Sequence, residues 1–433
     1  MLMRAEIKRR GGGRRRTPNL PAGSEGVLRR PPPRRSFAQA PTVAARLRQP
    51  QDDSVAELRA STSTPDFNAN RTLGLYVHLP FCRVHCTYCP FAVSTDIRLQ
   101  DRYTDALLAE VDARGDGTAV DSIFFGGGTP SRTSRENLVR IVARLRERFE
   151  IEDEAEFSLE ANPEDVTEDA VAFWRSLGVN RLSIGVQSFH DEELRPLGRV
   201  HGREQALEAI RIAVTSGIRT SLDLMLGLPR QTAQHFQETL TTAIATGAGH
   251  VSLYMLDLEE GTSLARQVEG GRVSLPDDDL VADLYTAAIE RFAAAGFAQY
   301  EISNFARPGE ECRHNLRYWR REEYLGFGIA AHSFAGDRRF ANTRDIHRYI
   351  EGQSEPEFAE VLGDGEVRRE TIFLGLRQAA GINYDDVVRL CGEEGIEWMN
   401  RGLSDGWLRR VGNRVAFTPS GFLLSNDYIS RLF

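Results

Sequence analysis

The chain has 433 residues, of which 41% are hydrophobic; that is more than one core accommodates, so two domains plus tails are expected. No apolar run approaches the roughly 20 residues a membrane-spanning helix needs, which leaves a soluble or at most peripherally membrane-bound protein. The net charge of −8 is unevenly spread: residues 1–50 hold thirteen basic side chains against Glu6 and Glu25, so the remainder is strongly acidic and ill suited to nucleic acid, which demands a basic face.

Residues 1–70 are rich in Arg, Pro, Gly and Ser, with runs such as Arg14–Arg16 and Pro31–Pro33. They lack apolar periodicity and are expected to be disordered. A surface-seeking basic tail, an organellar transit segment and a misplaced start codon all fit that composition. From Leu73 onward short apolar runs alternate with amphipathic stretches. The runs predict strands at Leu75–Leu79, Ser122–Phe125, Glu156–Glu160, Arg181–Gln187, Ser221–Leu226 and His250–Leu256. Helices are predicted at Leu99–Ala113, Arg135–Phe149, Glu168–Leu177, Arg203–Thr215, Ala233–Thr246 and Asp277–Ala295. The strands read as near-continuous apolar runs, as in a parallel sheet covered on both faces. Six βα units fall short of the eight of a closed barrel, so residues 71–300 predict an α/β fold, a partial (β/α)6 barrel. Ligands of such sheets sit beyond the carboxyl ends of the strands.

Residues 301–360 form a further segment, and 361–433 predict a small winged-helix-like domain. Its helices are expected at Glu366–Gln378, Asp385–Leu390 and Ile396–Leu403, followed by a hairpin over Leu408–Phe417 turning at Gly412-Asn413.

The first strand runs into Cys82-Arg83-Val84-His85-Cys86-Thr87-Tyr88-Cys89. Five cysteines without a secretory segment do not read as a disulfide framework; they suit a reducing compartment, the cytoplasm. Three thiolates on one loop can hold three corners of a cubane cluster; zinc is the less favoured alternative, since no fourth ligand follows closely, though His85 can serve. A cubane with one iron left unligated makes sense if a small molecule coordinates it. The second strand ends in Gly126-Gly127-Gly128-Thr129-Pro130, where backbone can approach a ligand and exposed N–H groups can bind a carboxylate. Without a following Gly-Lys-Ser/Thr it is no nucleotide P-loop, and a plain strand-to-helix turn is the alternative. Glu160, Gln187 and Asp223 lie at successive strand ends, and Arg199 can meet a carboxylate.

Taken together, Tyr76–Cys82, the three-cysteine loop and Gly126–Pro130 resemble the radical S-adenosylmethionine (SAM) superfamily. Arg181–Gln187, Leu197–His201, Asp223–Pro229, Phe373–Arg377 and Thr418–Gly421 resemble, more narrowly, the oxygen-independent coproporphyrinogen III oxidase family. The resemblance implies that Cys82, Cys86 and Cys89 ligate a [4Fe–4S] cluster whose fourth iron takes the amine and carboxylate of SAM. It implies that Gly127, Gly128 and Thr129 meet the methionine part of SAM, and that Tyr76, Tyr88, Glu160, Gln187, Arg199 and Asp223 contact the rest. An electron donor would reduce the cluster, which can then cleave SAM to methionine and a 5′-deoxyadenosyl radical.

The oxidases of that family continue the loop to a fourth cysteine, where this chain has Phe91. It shares instead the His-Asn-x-x-Tyr-Trp motif of HemW-type heme chaperones, as His314-Asn315-Leu316-Arg317-Tyr318-Trp319. The implied function is heme transfer to an acceptor protein; the alternative is a coproporphyrinogen oxidase. An exposed His314 can ligate heme iron, with Asn315 beside it and Tyr318 and Trp319 against the porphyrin; Cys312 and His332 are secondary candidates. In the bland reading the motif is a capped loop with Trp319 in the core.

Overall fold

The computed structural model describes residues 72–352 and 356–433; the extension expected at 1–70 lies outside the described residues. Each of the first six strands is built on alternation. In β1 (Leu73–Leu79), the side chains of Leu73, Leu75, Val77 and Leu79 are buried in the main core. The same holds for Ile123 and Phe125 of β2 (Ala119–Gly127) and Phe157 and Leu159 of β3 (Glu150–Ala161). Leu182 and Ile184 of β4 (Arg181–Gln187), Leu222 and Leu224 of β5 (Arg219–Leu226), and Val251 and Leu253 of β6 (His250–Met255) complete the set.

The intervening residues are largely polar and meet one another across the sheet: Ser183 donates to Asp223 at 2.9 Å, and Ser221 pairs with His250 at 2.6 Å. The strands were expected to be apolar on both faces. One face instead packs on helices while the other is polar, because a sheet that curves around a ligand site need not fill its concave side with hydrocarbon.

The parallel strands β1 to β6 are neighbours in chain order, as the six βα units predict. The sheet then grows at both edges. Beside β1 lies the parallel β9 (Tyr324–Phe327), followed by antiparallel β10 (His332–Ala335), β11 (Arg338–Ala341) and β12 (Phe358–Val361). Beyond β6 come β8 (Asn304–Ala306) and β7 (Ala298–Gln299), antiparallel. None of these flanking strands exceeds four residues, too short to show a period in the sequence.

The covering helices form where expected. Arg135–Arg148 starts at an N-cap, Ser134, which accepts from the Asn137 N–H, and it buries Leu138, Ile141, Val142 and Leu145 on one face. Two short helices, Asp191–Leu197 and Ser263–Glu269, were not foreseen; the first contains Pro196, ordinarily a helix breaker. At the C-terminal end, β13 (Ile382–Asn383), β14 (Leu408–Val411) and β15 (Arg414–Phe417) form a separate small sheet. The two helices expected across 385–403 are both present within Tyr384–Ser404, separated by a kink at Gly392, whose backbone is non-helical (φ 60°, ψ −142°).

Candidate functional site

The cysteine loop is pinned at its base and at its tip. The Cys82 N–H donates to the Ser94 carbonyl at 2.9 Å and the Ser94 N–H to that of Pro80 at 2.8 Å. Phe81, fully buried, meets the edge of Tyr103 at 5.5 Å. At the tip, the Thr87 N–H donates to Leu197 and its hydroxyl to Pro196, while the Leu264 N–H donates to the Thr87 carbonyl at 2.7 Å. The two unforeseen short helices thus hold the loop from either side. Tyr88, next in sequence, packs into the apolar cluster of Leu197, Met225, Leu228 and Leu264.

All three loop thiols are partly buried. Burial pushes Cys82 up to about 11, against a hydrogen bond from Thr129 that favours the thiolate, and pushes Cys89 up to about 12. Among the described residues no three His, Cys, Asp or Glu side chains are grouped closely enough to hold one metal ion. A cubane makes no such demand, since each thiolate bonds a different iron.

A chain of side chains links two of the thiols. The Thr129 hydroxyl donates to Cys82 Sγ at 3.4 Å and accepts from Asn162 Nδ2 at 3.3 Å. Asn162 Oδ1 accepts from Arg199 Nη2 at 2.7 Å, and Arg199 Nη1 reaches Cys86 Sγ at 3.7 Å. Arg199 also donates to the Gly185 carbonyl, while its buried Nε has no partner. A Cβ on Gly185 would stand 3.2 Å from Arg199 and 3.0 Å from Gln187, so a glycine there leaves both side chains their room. Gln187 itself has a left-handed backbone, φ 65°, where the β4–β5 register slips.

The glycine run behaves differently from expectation. Its N–H groups were expected to be open to a carboxylate; that of Gly127 donates to Glu160 Oε2 at 3.1 Å and that of Gly128 to the Leu79 carbonyl at 3.0 Å. The glycines are required by crowding against β1. A Cβ at Gly128 would come within 2.5 Å of the Pro80 backbone, and one at Gly127, where φ is +109°, within 2.6 Å of the His78 ring.

Glu160 and Asp223 share the polar face. Burial, reinforced by the charge of Asp223, lifts Glu160 to about 7; burial lifts Asp223 to about 6 against hydrogen bonds from Ser183 and Ser252. Burial also raises the Tyr76 hydroxyl, which pairs with His78 Nδ1 at 3.2 Å.

The His314–Trp319 motif forms a short helix, Arg313–Trp319, lying against β2. The expected exposed imidazole is not found. His314 is 0% exposed, with Nδ1 at 3.1 Å from Ser122 Oγ and Nε2 at 2.8 Å from the Tyr318 hydroxyl, so neither nitrogen is open to iron in this conformation. Trp319 is 2% exposed and fills the core, Asn315 is half-buried, and the buried Cys312 thiol donates to Glu156 at 3.3 Å. His332 is exposed at the start of β10. The opposite face of the helix, through Arg313, Leu316 and Arg320, lines an open cavity of about 850 Å³ together with Arg219 and Tyr300 and the acidic Glu154 and Glu311.

Asn162 and His78 were not singled out from the sequence as site residues. The signal available was their position, one at the end of β3 and one at the end of β1.

A family model described as the radical SAM superfamily matches residues 76–243. The fold is shared with the coproporphyrinogen III oxidase (HemN) of Escherichia coli, a radical SAM enzyme: TM-score 0.73, 24% identity, covering 87% of this chain and 98% of that one. A likeness at that identity speaks for the fold. The chain is a radical SAM protein, a class that implies a [4Fe–4S] cluster and SAM.

Closer relatives narrow this. The heme chaperone HemW of Mycobacterium tuberculosis (strain ATCC 25618 / H37Rv) is 37% identical over 371 residues, 83% of this chain and 94% of the relative. The heme chaperone HemW of Bacillus subtilis (strain 168) is 37% identical, covering 81% and 97%, and that of Escherichia coli (strain K12) is 34% identical, covering 82% and 97%. The chain belongs to the HemW heme chaperone family. No helix among the described residues is long and apolar enough to cross a membrane.

Proposed function

We propose that this protein is a heme chaperone that holds a [4Fe–4S] cluster on Cys82, Cys86 and Cys89, binds SAM beside it, and passes heme to an acceptor protein. The observation that carries the reading is the near full-length likeness to proteins named heme chaperones, in a chain with Phe91 where the related oxidases have a fourth cysteine. The residues present fit a cluster: three thiols on one clasped loop, two of them facing the donors Thr129 and Arg199. Bound there, the cluster supplies a coordination site for the amine and carboxylate of SAM and an electron for its sulfonium.

The remaining roles fall to the chain itself. The buried Arg199 guanidinium balances anionic groups at the rim, and Gly127–Thr129 bring the backbone alongside the methionine part. Glu160, Asp223 and Gln187 offer partners for hydroxyls and amines, and Tyr76 and Tyr88 supply ring surface. The cargo belongs in the cavity on the far side of the motif helix, at the amino ends of the strands. Its volume suits a ligand of heme size. Arg313 and Arg320 can pair with propionates, while Leu316 meets the macrocycle. Of the four motif residues assigned to heme, Asn315, Tyr318 and Trp319 shape this helix, and His314 faces away from the cavity.

The test is an anaerobic heme titration of the cluster-loaded protein. One equivalent should bind, and the Arg313→Ala/Arg320→Ala double variant should bind about tenfold more weakly, the loss of about 1.4 kcal/mol. Absence of stoichiometric binding would overturn the reading. Protoporphyrinogen formed from coproporphyrinogen with SAM and reductant would put the oxidase in its place.

A further inference from the structure

We propose that His314 is a positioning residue for the cysteine loop and the SAM site, acting through a row of rings from the motif helix to the loop. This rests on the assignment of cluster and SAM just made.

The row can be followed contact by contact. His314 is anchored by Ser122 and Tyr318, and its backbone N–H donates to Glu156 at 3.0 Å. Its ring stacks on Phe124 with centroids 5.4 Å apart and planes inclined by 26°. Phe124 stacks in turn on Tyr76, at 6.3 Å and 22°. The Tyr76 hydroxyl pairs with His78 Nδ1 at 3.2 Å, and His78 Nε2 lies 2.9 Å from the Ala92 carbonyl. Ala92 sits between Cys89 and Ser94, the residue whose backbone closes the loop onto Cys82 and Pro80. The imidazole therefore lies at one end of a supported row and the cysteine loop at the other.

The same rings also wall the SAM side. A Cβ built on Gly126 would meet Phe124 and Tyr76 at 3.0 Å each and Glu160 Oε2 at 3.2 Å. Glu160 holds the Gly127 amide, so a tilt of Phe124 would be felt at Tyr76 and at the glycine run together. Packed interiors transmit such shifts because they contain little free volume. Histidine suits the post better than an apolar ring: it stacks like one, while its two nitrogens fix its plane against Ser122 and Tyr318. A heme ligand would need one of those nitrogens released; a strut needs both held.

The test uses the full chain, cluster-loaded and anaerobic, in three variants. His314→Ala removes the strut, His314→Gln keeps a hydrogen-bonding side chain, and Phe124→Leu cuts the row while leaving His314 in place. Three readouts are taken: SAM affinity, the change that SAM produces in the electron paramagnetic resonance spectrum of the reduced cluster, and heme stoichiometry. The expected result is about tenfold weaker SAM binding and an altered spectral response in His314→Ala and Phe124→Leu, partial rescue in His314→Gln, and one equivalent of heme throughout. Wild-type SAM affinity and spectrum in Phe124→Leu would overturn the proposal. So would loss of heme from His314→Ala with an unchanged SAM response, which would return His314 to the role of iron ligand. A wild-type chain that takes up neither cluster nor SAM would defeat the underlying assignment and this proposal with it.

Discussion

At the scale of single residues, the most consequential side chain is one whose type was plain in the sequence and whose surroundings were not. His314 stood out by its motif, but the motif cannot say which way a helix turns its faces. Burial holds its pKa down at about 3, far below the ordinary histidine value near 6.5. The folded protein therefore keeps it neutral where the unfolded chain would take up a proton. Since the unfolded state binds more protons between about pH 6.5 and 3, stability falls as pH falls through that window. Between pH 7 and 5 this one group should cost about 2 kcal/mol. Urea denaturation at the two pH values should show a loss about 2 kcal/mol larger in wild type than in His314→Gln. Glu160, Asp223 and the other buried groups that titrate in this window are common to both; equal losses in both would refute the assignment. Gly128 gives a second test. With a Cβ meeting the Pro80 backbone at 2.5 Å, Gly128→Ala must displace either β1 or the glycine run. A loss of about 1–3 kcal/mol is expected, read as a lowered melting temperature. In the sequence the glycine run reads as a place for backbone to approach a ligand, whereas its contacts show a demand made by the first strand and the turn that follows it.

At the scale of elements, the alternation of six strands and six helices was legible because each is long enough to carry a period. Strand β4 and the helix Arg203–Thr215 have the bounds that the sequence predicts. The polar inner face was not legible as such, because Glu160, Gln187 and Asp223 look the same in a sequence whether they face solvent or a concave sheet. The short helices were hidden for another reason: seven residues give under two turns, and their stability comes from what they touch. What they touch is the cysteine loop, through Thr87. Thr87→Val keeps shape and removes only the hydroxyl bond to Pro196. It should cost about 1 kcal/mol and quicken loss of the cluster to a chelator, followed as bleaching of the visible absorbance. A cluster as durable as in wild type would mean that the clasp at the tip does not matter for retention.

At the scale of the whole molecule, the C-terminal residues were read as a domain of their own, and they do carry their own sheet. Their core, however, is not separate. Ile372, Leu376, Ile382, Val415 and Phe417 belong to the same continuous buried cluster as Leu284 and Phe292 of the helix Asp278–Ala294. The backbone is stitched as well: the Ile302 N–H donates to Arg377 at 2.9 Å, the Ala379 N–H to Tyr300 at 3.0 Å, and Gln378 Nε2 to the Trp319 carbonyl at 3.1 Å. Tyr300 and Gln378 both line the cavity assigned to heme, so the module forms part of its wall and holds the end of the motif helix through Trp319. A shared core and shared hydrogen bonds predict a single cooperative unfolding transition for the described part of the chain. Calorimetry of the full protein should show one endotherm, moved as a whole by Gln378→Ala. Two transitions, with only the smaller one shifted by that change, would mean that the module folds by itself and lends the motif helix no support.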